Sequence, residues 1–275
     1  RAPLPEFGWT DSLPAELRRA VLAHYIQDST DRGAHLSPAL IARAEAVSSP
    51  AVELSSADCR VAGAWARRLA VTGHPREAMQ LQRRAALQWI ALMRAEQASR
   101  PLCEWMRLAG ALGDTQAAAE ARACEAKLER SAGLTPPNRR YLRLASAVMA
   151  LRLAEVDVAR DAALLVLRQV IADLRCPPHV RFSAARWMVV GGTAEDVALG
   201  FAVLNSGPDY SKAQRRAFLA LATAGDRKRD ITDATGSLDA LLDALRAVTP
   251  GVVAHLEQAH EANGLRAALC RWFIY

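Results

Sequence analysis

The chain has 275 residues, 51% of them apolar but only 5% aromatic, and a formal net charge of +6. No run of roughly eighteen apolar residues is free of charge, which excludes a helical membrane span. Five Cys, at positions 59, 103, 124, 176 and 270, show no Cys-x-x-Cys spacing, so a zinc site and a disulfide framework are both disfavoured and a reducing compartment is expected.

Lys occurs only at 127, 212 and 228, so nearly every positive charge is an Arg, a planar fork suited to carboxylates or phosphates. The positives alternate with Asp and Glu along the chain, the pattern of solvated helix faces. No basic, then apolar, then small-residue signal opens the sequence, and a cytoplasmic location is expected. Because it begins at Arg1 rather than Met, an upstream segment is expected to have been removed.

In chain order, residues 1–10 read as an irregular lead-in. Pro14 opens a helix to about Gln27 with Leu17, Val21, Leu22 and Tyr25 as its stripe, and Asp28–Gly33 breaks it. Ser37-Pro38 is an N-cap followed by Pro at the first helical position, starting a short helix to Val47. Ser55–Asp58 is a capping signal for a helix that ends at Gly73, and its partner runs from Pro75 to about Ala98. A second pair is predicted over Pro101–Leu112 and Thr115–Ser131, with Gly133–Asn138 as stop and restart. A third covers Arg139–Leu153 and Val156–Leu174, hinged at Ala154-Glu155, and Cys176-Pro-Pro-His179 ends it. The fourth pair, Val180–Val190 and Ala194–Leu204, turns at Gly191-Gly192 and stops at Asn205–Pro208. Ser211 caps a fifth first helix that ends at Gly225-Asp226; a polar loop to Gly236 then leads to a terminal pair, Ser237–Val248 and Pro250–Tyr275. Val253, Leu256, Leu265, Leu269, Trp272 and Phe273 suit that pair to cover an open end.

The hinges at 73, 113, 154, 192 and 225 keep a spacing near forty residues. Within this rhythm one pattern occurs twice: Trp65 and Trp105 each stand eight residues before a Gly, and Ala78 and Ala118 five after it. Such self-similarity marks stacked helix–turn–helix units, each burying an apolar stripe against its neighbours.

On Trp65-Ala66, Trp105-Met106, Gly73, Gly113, Ala78, Ala118 and Ala85, the chain resembles the tetratricopeptide-repeat family. The resemblance covers about residues 60–225 and is most specific in the first two units, although the period exceeds the family's usual thirty-four or so residues. It implies an all-α, right-handed α-solenoid of five to six antiparallel helix pairs. Residues 1–54 would form N-terminal helices and a capping region, 55–225 the repeats, and 226–275 a loop and C-terminal capping pair. A compact helical bundle is the rival fold.

In such repeats the first helices face a groove. Projecting the pattern places Arg60, Arg67, Arg100, Arg107, Arg186, Arg215 and Arg216 on or near it. An Arg-lined groove would hold acidic or C-terminal carboxylate segments through charge-assisted bonds; the plain alternative is an ordinary solvated face. The family's Asn-containing carboxylate clamp is missing, so chaperone tails are not implied. His255 and His260 are five residues apart and share a helical face poorly, so neither a metal nor any cofactor is expected. Cys176 and His179 form an isolated pair in a breaker. Arg215-Arg216 and Arg227-Lys228-Arg229 form the densest basic cluster, but without stacking aromatics nucleic acid is not the expected partner. The sequence thus predicts a non-enzymatic scaffold, adaptor or chaperone that binds a protein or peptide, possibly an acidic one. Two other readings are a regulatory module of a larger protein and a helical enzyme with a site assembled from distant residues.

Overall fold

Ser55 ends an extended segment and starts a helix because its side chain takes over the work of a missing turn. Its Oγ accepts from the Asp58 amide at 3.2 Å, and the Asp58 carboxylate accepts from the Ser55 amide at 3.1 Å. Two orphan donors of the first turn are thereby satisfied. Asp58 also pairs with Arg19 on the first helix of the chain, so the cap is a tertiary link as well.

The computed structural model describes residues 13–203, apart from 33, 51–52, 194, 197–198 and 201. The expected fifth pair, the terminal capping pair, Arg215, Arg216 and the 226–275 segment lie outside the described residues. Among the described residues the helices are α1 (Ala15–Arg32), α2 (Pro38–Ser48), α3 (Ser56–Val71), α4 (Pro75–Ala91), α5 (Ala95–Leu112), α6 (Thr115–Glu129), α7 (Pro136–Leu153), α8 (Asp157–Ala172) and α9 (Pro178–Gly191), with no strand.

The odd-numbered helices begin at Ala15, Ser56, Ala95, Pro136 and Pro178, each about forty residues after the last. Among them α1 packs on α3, α5 on α7 and α7 on α9, while α3 and α5 are joined mainly through α4. Of the even-numbered helices, α4 packs on α3 and α5, α6 on α5 and α7, and α8 on α7 and α9. The packing is consistent with a helical repeat. Trp65 and Trp105 are both buried, at 8% and 0% exposure, in equivalent places on α3 and α5. One apolar cluster extends from Leu22 to Met149 and another from Leu144 to Met188. They meet on α7, where Leu142, Ala145 and Met149 serve the first while Leu144, Ala147 and Val148 serve the second.

Two boundaries differ from the sequence reading. α1 continues to Arg32 through the expected breaker, because Ser29 and Thr30 are buried and the Thr30 hydroxyl donates to the Ile26 carbonyl at 2.6 Å. α4 ends at Ala91 rather than near Ala98, and Pro101 lies inside α5 instead of opening it. Proline there removes one amide donor, but Ala98, Leu102 and Trp105 are fully buried and hold the helix together.

The cause of the second difference is a turn without glycine. Gly73, Met93 and Gly113 all have positive φ, at 94°, 56° and 67°. In each case the next amide bonds the carbonyl five residues back: His74 to Leu69 at 2.9 Å, Arg94 to Trp89 at 2.9 Å, Asp114 to Ala109 at 3.0 Å. These are three copies of one Schellman-type reversal, so the chain turns every twenty residues between α3 and α6. Met93 is 89% exposed and gains no packing to offset its left-handed backbone, which is costly for a residue with a Cβ. Met93→Gly should therefore raise the stability by about 0.5–1 kcal/mol, read as a higher denaturant midpoint with an unchanged slope.

Candidate functional site

Arginine does two different jobs in this fold. The last carbonyls of a helix have no partner within it, and guanidinium forks from other helices supply several. Arg84 on α4 donates to the Ser48 and Ser49 carbonyls at 2.9 and 3.1 Å, closing the end of α2. Arg139 on α7 donates to Glu129, Ser131 and Leu134 at 2.6, 3.0 and 3.3 Å, closing the end of α6. Arg181 on α9 does the same for Ile171 of α8 at 2.8 Å, and Arg160 for Gly191 of α9 at 2.9 and 2.7 Å. The positive ends of these side chains also suit the negative pole of the helix dipole.

The arginines singled out by sequence behave differently. Arg60 is exposed on the first turn of α3 and has no ionic or hydrogen-bond partner among the described residues. Arg67, two turns further along α3, donates from Nη1 to the Gln27 Oε1 of α1 at 2.6 Å and lies 3.9 Å from Asp31. Arg100 of α5 reaches the same oxygen at 3.5 Å. The carboxamide is oriented by its other end, since Gln27 Nε2 donates to Asp31 Oδ2 at 2.7 Å.

Gln27 of α1 thus joins Arg67 of α3 and Arg100 of α5, and Arg60, seven residues before Arg67, lies on the same face of α3.

Arg107 is forty residues from Arg67 but joins a different group. Its Nη1 lies 3.5 Å from the buried carboxylate of Glu104, and its side chain is only 15% exposed. Its carbonyl accepts from Arg152 of α7 at 3.4 Å, and Arg152 lies over the Trp187 ring of α9 at 4.3 Å. Burial, and then the neighbouring Arg107, hold Arg152 down to about 9. This cluster joins α5, α7 and α9. Arg186 is half-buried on α9, away from the Gln27 contact.

Little on these helices suits covalent or metal chemistry. Cys59, Cys103, Cys124 and Cys176 are all buried free thiols. Burial pushes Cys59 up to about 11 and Cys103 up to about 12, which leaves them poor nucleophiles. His179 faces the Tyr141 hydroxyl. Among the described residues no group of three His, Cys, Asp or Glu could hold a metal ion.

Sequence reasoning missed Gln27 and Asp31, which it placed at a helix end and in a breaker. Their signal was the spacing of four residues on one helix face, combined with the forty-residue offset from Gln27 to Arg67. The chain matches no protein-family model, no curated protein and no solved structure.

The two kinds of arginine should separate by mutation. Arg139→Ala leaves three carbonyls unmet and should lower stability by about 1–3 kcal/mol, whereas Arg60→Ala should change it by less than about 0.5 kcal/mol; urea titration of both variants checks this. A second test concerns Asp196, whose carboxylate accepts from Arg168 at 2.6 and 2.9 Å and from the Thr193 amide at 3.0 Å. The Arg168 bonds, assisted by Thr193, hold its pKa below the ordinary aspartate value. Its contribution is therefore fully present above that ordinary value and is lost as pH falls through the lowered one. The difference in melting temperature between the native chain and Asp196→Asn should be constant at neutral pH and shrink below about pH 4.

Proposed function

We propose that this chain is a right-handed, tetratricopeptide-like α-solenoid that serves as a non-enzymatic scaffold, adaptor or chaperone, holding an acidic protein segment along the face where side chains of α1, α3 and α5 meet. The observation that carries this reading is the meeting of Arg67 and Arg100 at one neutral oxygen. Two guanidinium groups from different helices are held close together there, and Arg60 adds a third positive charge along α3. A carboxylate entering this face replaces a neutral acceptor with a charged one, adding an ion-pair attraction to hydrogen bonds whose donors are already cationic. Side chains from three helices could then reach one extended segment, as on the recognition surfaces of helical repeats.

Arg107 has a separate role in this reading: its pairing with Glu104 makes it part of the α5–α7 junction rather than a direct contact. The proposed partner is a protein, and nucleic acid is not expected, because the arginines form a local cluster instead of a stripe with interleaved aromatics.

A peptide array graded in Asp and Glu content tests this. Acidic peptides should bind at physiological ionic strength, where screening extends over about 8 Å, and weaken as salt is raised. Arg67→Glu with Arg100→Glu should abolish capture while the helical circular-dichroism signal is retained. Undiminished capture by that folded double variant would refute the proposal.

A further inference from the structure

Gln27 differs from glutamate only in carrying an amino group where glutamate carries an oxygen. It therefore presents to Arg67 and Arg100 an uncharged version of the group that an acidic ligand would bring. Its orientation is not left to chance. Because Nε2 donates to Asp31 at 2.7 Å, Oε1 is the end that faces the guanidinium groups. That oxygen takes bonds from both, at 2.6 Å from Arg67 and 3.5 Å from Arg100.

We propose that Gln27 is a built-in competitor at this face, an internal carboxamide that holds the two arginines in place and yields its position to an incoming carboxylate. The inference rests on the acidic-partner reading and deepens it by naming the atom that is displaced. A neutral acceptor suits the role on energetic grounds. Gln27 bonds strongly enough to hold two like charges in one place, yet a carboxylate forms stronger bonds to the same donors, so the exchange runs toward the ligand. A glutamate at position 27 would instead neutralise the pair permanently. Asp31, 3.9 Å from Arg67, keeps its contact to one guanidinium during the exchange.

The test is calorimetric titration of the intact chain with two blocked peptides. One is a glutamate tetrapeptide with both ends capped, so that only side-chain carboxylates are offered. The other is an alanine tetrapeptide acetylated at its N-terminus and free at its C-terminal carboxylate. Gln27→Ala should tighten binding of whichever peptide uses the site by severalfold. Gln27→Glu should weaken it by about tenfold or more, since it converts a neutral competitor to a charged one. Gln27→Asn, which keeps the carboxamide but draws it back from the arginines, should tighten binding as Gln27→Ala does and guards against a folding artefact at position 27. Preference for the first peptide identifies an internal acidic segment as the ligand; preference for the second identifies a chain end. If a peptide binds and Arg67→Glu abolishes it, yet the variants at 27 match the native affinity, the competitor role is overturned while the acidic-partner reading survives. If neither peptide binds, or Arg67→Glu changes nothing, both are overturned.

Discussion

One backbone hydrogen bond, repeated at three turns, sets the geometry on which the rest of the structure depends. At Gly73, Met93 and Gly113 a left-handed residue lets the following amide reach back to the carbonyl five residues earlier. That bond ends one helix and aims the next in the opposite direction within three residues. Because the three turns are alike and evenly spaced, α3, α4, α5 and α6 alternate in direction with nearly constant length. Burial then follows from the register: Trp65 and Trp105 recur at the same depth, and each apolar stripe meets the next helix rather than water.

Small residues decide how closely α5 and α7 pack. A Cβ added to Gly110 would stand 3.0 Å from the Met149 Cα and 3.3 Å from the Arg152 side chain, so the two backbones come close here and a larger residue would force a shift. Ala62, Ala66, Ala109 and Ala145, all fully buried, line the same interior. Close approach is what brings Arg152 over Trp187 and within reach of the Arg107 carbonyl. It accounts for a polar junction in the α5–α7–α9 layer at a place where the sequence suggested only a repeated surface arginine.

The arginine-rich composition has a structural explanation as well as a functional one. Arg84, Arg139, Arg160 and Arg181 each close the carboxyl end of a helix that is distant in sequence or belongs to the previous hairpin. A lysine carries one point of charge and could not bridge two or three carbonyls in fixed directions. Arginines used in this way are not available to a partner. Arg60 and Arg100 are exposed and Arg67 partly so, which concentrates the proposed recognition on a small part of α1, α3 and α5.

The sequence by itself determined the all-helical class, the forty-residue period, the Ser37 and Ser55 caps and the buried Trp pair, because each of these is written in local chemistry: capping side chains, glycine at left-handed turns and apolar periodicity. Tertiary structure alone decided the rest. Met93 conceals a turn because nothing about methionine signals a positive φ. α1 outlasts its polar end because Ile26, Ser29 and Thr30 are buried against neighbouring helices. The meeting of Gln27, Arg67 and Arg100 depends on how three helices far apart in sequence are placed. Two arginines at the same helical phase, Arg67 and Arg107, were indistinguishable in the sequence; different neighbours join one to Gln27 and Asp31 and the other to Glu104 and Arg152.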